Sequence, residues 1–395
     1  MKYSSLCNVY TVIAVCSTLF ELYGITYTFH TFTWRFALVI GVIVLDLLST
    51  GHVARQKSES NYHTPFMLSM CLGFLFNIID SPTSIAMRWI RFMLLNYFTF
   101  YLGKKYFDGI LGYRVYKIIV WIATAVLLTQ VLYANILGEV FVGHLPLPLR
   151  SPTYESSDFL LRYYSIFEEP GYYGIYVTPY LCMKLYQHKI NFAEMFLISL
   201  ALLLSTSTSN IGVLCFWLAT FAFIVKPKSI GFKKLLFIKV LLVLMAVGAA
   251  YILMQTSQYD FIMNRLENGS SAESRAEGYL NFDVYFRGNI LLWLFGNSLE
   301  DYPISGFATL IICFGLVGSL FYMMAFFKIF RRTNKVGQFI LLGFLFINIA
   351  NVEFLGNASS MLFVYPFAYW FMRNKFVVDI DEYSKSQKNE KRKIF

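Results

Sequence analysis

The chain has 395 residues and a formal net charge of +10, with hydrophobic residues at 57% and charged residues at only 14%. A water-soluble domain carries about a quarter charged residues, so the composition excludes one and points to a polytopic membrane protein. The basic excess follows the apolar segments instead of forming a patch, which argues against nucleic acid as a partner.

Crossing the hydrocarbon as a helix takes about 20 apolar residues. Segments that meet this requirement are predicted at about 6–23, 34–50, 64–80, 84–102, 115–137 and 171–187. Six more follow at about 191–207, 209–225, 235–254, 304–327, 337–355 and 358–373, giving an all-α bundle of about twelve spans. Lys2 followed by the apolar stretch Leu6 to Phe20 resembles a signal peptide, but no small-residue cleavage site precedes Glu21, so it reads as the first span. Forty Phe and 28 Tyr suit a lipid-facing surface with aromatic belts at its boundaries. The six cysteines all fall in apolar runs without CxxC spacing, which predicts no disulfide framework.

Positive charge alternates between loops, as the inside-positive bias requires. Arg55 and Lys57, then Lys104, Lys105, Arg114 and Lys117, then Lys184 and Lys189 mark one side. Lys226 to Lys239, Lys328 to Lys335 and the basic tail from Arg373 to Lys393 continue the series, so both termini are expected in the cytoplasm. The organisation expected is one membrane-embedded domain over 1–374 and a basic tail over 375–395. Two far-side loops are long, at about 138–170 and 255–303, and function is expected there. In the second, Tyr259–Leu266 and Ala272–Trp293 have helical character interrupted by Gly269, Gly278 and Gly288, which fits short helices on the membrane surface or a solvated loop.

Of 33 basic residues, eight fall outside the cytoplasmic segments, and all eight are arginine: Arg35, Arg88, Arg91, Arg150, Arg162, Arg265, Arg275 and Arg287. A guanidinium forks onto phosphate oxygens with two parallel hydrogen bonds, whereas lysine presents a point charge. The set therefore points to a phosphate ligand at the outer face, against the alternative of surface ion pairs with neighbouring carboxylates. Arg88 and Arg91 stand three apart near the outer end of the fourth span. Arg88 is placed to snorkel to the interface, while Arg91, a turn deeper, either does the same or lines a polar cavity.

The first long loop ends in Arg162-Tyr-Tyr-Ser165-Ile-Phe167-Glu168-Glu169-Pro170-Gly-Tyr172-Tyr-Gly174, a cation and two carboxylates beside a predicted helix start. Pro170 fits the first helical position, where its missing amide hydrogen is not needed and the helix N-terminus adds partial positive charge.

This stretch resembles the Arg-x-x-Gly-x-Phe-x-Glu-Pro signature of the Wzy-type O-antigen and capsule repeat-unit polymerases, with Ser165 in place of the glycine. Ser274-Arg275, the following amphipathic stretch and Leu294-Phe295-Gly296 resemble the second outer loop of that family. Ser305-Gly306-Phe307 and Cys313-Phe314-Gly315-Leu316-Val317-Gly318 resemble its re-entry into the membrane. The related O-antigen ligases carry a His-Asn pair near Ser305 and Gly306, and this chain has none, which favours polymerase over ligase. A flippase or another twelve-span transporter is the alternative of a different class, opposed by the two long outer loops.

The resemblance implies a GT-C-like, metal-independent glycosyltransferase that needs no cofactor and uses undecaprenyl-diphosphate-linked glycans as donor and acceptor. A chain-length regulator protein and the membrane lipid are the further partners implied. On this reading Arg162, Arg265 and Arg275 hold the donor diphosphate, with Arg287, Arg91, Glu168 and Tyr172 as further substrate contacts. Glu169 either accepts the proton of the acceptor hydroxyl or is an ionised helix cap paired with Arg162.

Ser205-Thr206-Ser207-Thr208-Ser209-Asn210 either lines a sugar path or forms a tight turn whose hydroxyls satisfy backbone groups, and the turn is favoured. Asp379-Ile380-Asp381 mimics a metal-binding DxD but lies in the tail, on the wrong side for lipid-linked transfer, and reads as solvated.

Overall fold

The computed structural model describes residues 3–16, 34–49, 62–78, 83–139, 153–154, 161–167, 170–184, 191–205, 207–223, 286, 288–296, 306–350 and 360–386, with isolated positions between 231 and 240. In chain order the helices are α1 (Tyr3–Cys16), α2 (Trp34–Ser49), α3 (Thr64–Ile78), α4 (Thr83–Tyr97), α5 (Gly103–Tyr106) and α6 (Gly109–Leu132). Then come α7 (Pro170–Lys184), α8 (Phe192–Leu204), α9 (Thr208–Phe223), α10 (Ile290–Phe295), α11 (Gly306–Arg332), α12 (Lys335–Ala350) and α13 (Ser360–Arg373). Eleven of the twelve predicted spans coincide with a helix, and the ninth, near 235–254, lies almost wholly outside the described residues. Among the described residues the regular structure is helical apart from one antiparallel pairing of β1 (Thr153–Tyr154) with β2 (Leu161–Arg162).

Among the described residues two stretches are long and apolar enough to cross a membrane by length and composition, Gly109–Leu137 and Phe307–Arg332. Shorter apolar helices accompany them, among them Tyr3–Cys16, Thr64–Leu75 and Lys335–Asn348. Apolar side chains also lie on their outward faces. On α11, Leu316, Leu320, Met324 and Phe327 form an exposed stripe at helical spacing, and Ile118, Ile122 and Leu132 do so on α6. The buried face of α6 is the more polar one, with Tyr116, Thr124 and Gln130 turned inward.

The chain divides into two compact units. The first gathers α1 to α5, the start of α6, and α10 to α13. Within it α13 is buried all round from Leu362 to Phe371, as a central helix must be if it is apolar on every side. A π-helical turn over Phe98–Leu102 joins α4 to α5, and the Tyr10 hydroxyl donates to the Phe98 carbonyl at 3.0 Å. Gly103 follows because Pro366 of α13 and the Tyr10 hydroxyl leave no room for a Cβ. Asp108 starts α6 by accepting from the Ile110 and Leu111 amides at 2.9 and 3.3 Å. Asp46, buried on α2, is met by Lys105 Nζ at 2.9 Å and by the Tyr106 hydroxyl at 2.5 Å.

α11 is broken at Gly315, whose φ of 66° and ψ of −178° lie in a region open only to glycine. The short helix α10 ends on Gly296, at φ 94° and ψ 163°, in the same region. The two breaks face each other. A Cβ on Gly296 would collide with the Cys313 carbonyl, and one on Gly315 with the Leu294 carbonyl, each two residues before the opposite glycine. Leu294-Phe295-Gly296 and Cys313-Phe314-Gly315 thus clasp each other reciprocally, backbone on backbone. Gly73 of α3 completes the contact, since a Cβ there would meet the Phe295 carbonyl at 2.7 Å. Across the break the Ser319 hydroxyl donates to the Leu310 carbonyl at 3.1 Å. Phe286, Ala308 and Ile312 form the buried cluster that seats α10, with the Phe286 and Trp293 rings 4.3 Å apart.

Gly315→Ala is therefore expected to destabilise the fold by about 3 kcal/mol or more, combining backbone strain with a collision against the Leu294 backbone. An alanine at Gly212, whose Cβ position meets nothing within 4 Å, is the matched control with no loss. Thermal unfolding of both variants in detergent reads the difference.

Candidate functional site

The second unit gathers the rest of α6, the β pairing, α7 to α9 and the C-terminal segment from Phe376, and it contains the first-loop motif. Arg162 sits in β2 opposite Thr153, so its backbone is fixed by the ladder as the chain leaves the loop. The next five residues, Tyr163 to Phe167, are all buried. They form a tight turn closed by the Phe167 amide on the Tyr164 carbonyl at 3.1 Å.

Ser165 makes this turn possible and is its strained point. Among the described residues it is the one non-glycine with a positive φ, at 58°. Left-handed backbone costs an L-residue roughly 1 to 2 kcal/mol, a cost that glycine escapes. Three hydrogen bonds to α6 offset the cost here. Gln130 Oε1 accepts from the Ser165 amide at 2.9 Å, and Gln130 Nε2 donates to the Ser165 carbonyl at 3.3 Å. The Ser165 hydroxyl donates to the Ala123 carbonyl at 2.5 Å. A serine in place of glycine thus supplies an anchor to α6 that glycine lacks.

α7 begins on Pro170, as the sequence predicts, and is buried from Tyr173 to its end. Two polar side chains from neighbouring helices bridge its turns. Asn210 of α9 accepts from the Gly174 amide at 3.0 Å and donates to the Pro170 carbonyl at 2.7 Å, holding the first turn at both ends. Gly174 has to be glycine, because the Asn210 carboxamide occupies the position of its Cβ. One turn on, Pro179 lacks an amide hydrogen and interrupts the ladder. There the Tyr116 hydroxyl donates to the Tyr176 carbonyl and accepts from the Tyr180 amide at 3.2 Å. Tyr173 and Thr124 join α7 to α6 a second time through their hydroxyls, 2.9 Å apart.

Of the polar run after α8, Ser205 is a turn residue that donates to the Leu202 carbonyl at 2.7 Å and accepts from Asn210 at 2.8 Å, while Thr208 to Asn210 open α9. Its second role, holding the start of α7 through Asn210, is one that the sequence reading did not assign. Gln130 and Tyr116 were missed as well. The available signal was their polarity inside the apolar fifth predicted span, where an unpartnered amide or phenol is costly.

The predicted site residues fall unevenly across the described part of the chain. Tyr172 is half-buried in the first turn of α7. Arg162 and Arg91 are described in their backbones, in β2 and α4, while their side chains lie outside the described part. Glu168, Glu169, Arg265, Arg275 and Arg287 lie outside the described residues. What the geometry establishes is the frame: a rigid, buried turn with Arg162 at its entrance and the Pro170 helix start at its exit. Glu168 and Glu169 are the two residues of sequence that join that turn to the helix.

Two sets of variants test the frame by thermal unfolding in detergent. Gln130→Leu leaves the Ser165 amide and carbonyl unsatisfied and should cost about 2 to 4 kcal/mol. Ser165→Gly trades backbone strain for the lost hydroxyl bond and should stay within about 1 kcal/mol of the parent, whereas Ser165→Val should be markedly worse. Tyr116→Phe should cost about 1 to 3 kcal/mol in the parent and less in a Pro179→Ala background, where the ladder closes on its own. Equal costs in the two backgrounds would refute the bridging role of the phenol.

No protein-family model matches the chain and no curated protein matches it, so the reading of this site rests on its own residues.

Proposed function

We propose that the chain is a multi-pass glycosyltransferase of the bacterial cytoplasmic membrane, with about twelve spans in a GT-C-like arrangement and both termini in the cytoplasm. It polymerises undecaprenyl-diphosphate-linked repeat units into O-antigen or capsular polysaccharide at the outer face. The observation that carries this reading is the turn before α7. Arg162 enters it from a β ladder, Ser165 is held left-handed by Gln130, and Pro170 opens a helix held by Asn210, so the motif has a fixed backbone at each end. The exposed apolar stripes on α6 and α11 support lipid as the surrounding solvent.

In the reaction, a hydroxyl oxygen of the acceptor glycan attacks the anomeric carbon of the donor. A carbon–oxygen bond forms there as the bond from that carbon to the diphosphate oxygen breaks. Negative charge develops on the leaving diphosphate, and on this reading Arg162, Arg265 and Arg275 stabilise it, with Arg287 and Arg91 as secondary cations. Glu169 takes the proton released by the attacking hydroxyl, and Glu168 and Tyr172 contact the sugars. The growing chain stays on its polyprenyl carrier, and a chain-length regulator is the protein partner such a product calls for.

Deletion of the gene should leave surface lipid carrying a single capped repeat unit. Loss of a flippase would leave none, and loss of a ligase would leave uncapped lipid. Glu169→Gln should lower polymer formation by about 100-fold or more, and Arg162→Lys or Arg275→Lys by about 10- to 1,000-fold, read as glycan ladders at matched protein levels. Full-length ladders from all three variants would reject the assignment.

A further inference from the structure

The C-terminal segment departs from the solvated tail that its sequence predicts. Residues 380–386 are helical, and Asp379 caps that helix by accepting from the Asp381 and Glu382 amides at 2.8 and 3.2 Å. Val377, Ile380 and Ser384 are buried at helical spacing, so the segment presents a docking face. Asp381 is thereby turned toward two lysines of the same unit. Its Oδ2 lies 3.5 Å from Lys117 Nζ on α6 and 3.9 Å from Lys184 Nζ at the end of α7.

Lys184 is itself buried and engaged. Its Nζ lies 3.2 Å from Glu194 Oε2 on α8, with both side chains more than nine-tenths buried, and 5.4 Å over the Tyr180 ring. The Tyr180 hydroxyl donates to the same glutamate. Asn191 fixes Glu194 in turn by capping α8, accepting from its amide at 3.3 Å. A charge held this rigidly is a firm anchor for anything that docks on it.

α6 and α7 are also the helices that build the outer turn, through Gln130, Ala123, Tyr116 and the Pro170 helix start. We propose that the segment 376–386 is a strap that sets the relative position of α6 and α7, with Asp381 as a positioning residue for the outer loop. The strap acts at a distance from the reacting groups, by fixing the far ends of the two helices that carry them. It supplies a carboxylate to two lysines that would otherwise repel each other. Its role in polymer formation rests on the function proposed above, whereas its docking does not.

The test uses the full chain in native membranes. Ser384→Cys places a thiol on the docked face, and its modification by a membrane-permeant maleimide is read by mass spectrometry at that residue. Adding Asp381→Asn should speed labelling by about three- to tenfold, the scale of losing half-exposed ion pairs on two helices. The charge-swapped pair Asp381→Lys with Lys117→Asp should restore slow labelling. In the glycan assay Asp381→Asn should shorten the ladder at unchanged protein level, and Asp381→Glu or the charge swap should lengthen it again. Labelling unaffected by Asp381→Asn would overturn the strap, whatever the glycan shows. Faster labelling with an unaltered ladder would overturn its coupling to the outer loop. A gene deletion that leaves surface glycan unchanged would sink the polymerase reading and that coupling, while the labelling result would still decide the docking.

Discussion

A peptide group removed from water must find another partner, and in this chain side chains repeatedly supply one where the helical ladder is interrupted. Tyr116 serves the turn beside Pro179, Asn210 the first turn of α7, Gln130 the left-handed residue of the turn before α7, Tyr10 the π-helical turn, and Ser319 the break in α11. Each is an amide or hydroxyl carried on an otherwise apolar helix and turned inward. The polar atoms therefore sit where the backbone is irregular, and the surface is left to leucine, isoleucine and phenylalanine. This inversion of the usual order makes an irregular loop compatible with an apolar exterior.

Much of the architecture was legible because it is local. Apolar length and turn residues place the helices, and α7 starts on the proline that the first-position rule selects. The Phe-Gly dipeptides at 295–296 and 314–315 were visible in the sequence, but their meaning was not. Their reciprocal contacts, Gly296 with Cys313 and Gly315 with Leu294, join residues 17 and 21 apart, and no periodicity records that. The same holds for Gln130 and Ser165, which meet 35 residues apart. A lone amide in an apolar run says that some partner exists without saying which one.

Charge was legible only in part. Lys184 belongs to the series of lysines from which the sequence suggests a sidedness, and it lies at the end of α7. Its burial against Glu194 is a second property, and spacing alone does not reveal it because the ion pair joins side chains of two different helices. Asp379-Ile380-Asp381 shows the same limit. As text it is a metal-binding look-alike; in three dimensions the first aspartate caps a helix and the second reaches two lysines. The same tripeptide chemistry serves folding once a helix begins between the two carboxylates.

The clasp between α10 and α11 also constrains the order in which the chain can take shape. A helix of six residues does not persist alone, because nucleation fixes more backbone than so few hydrogen bonds return. α10 leaves the ribosome before its partner does and must wait until Gly315 has been synthesised and the opposing carbonyls are in place. α10 is thus completed late in biosynthesis, when most of the protein already exists, and a nascent chain stalled before that glycine would lack it.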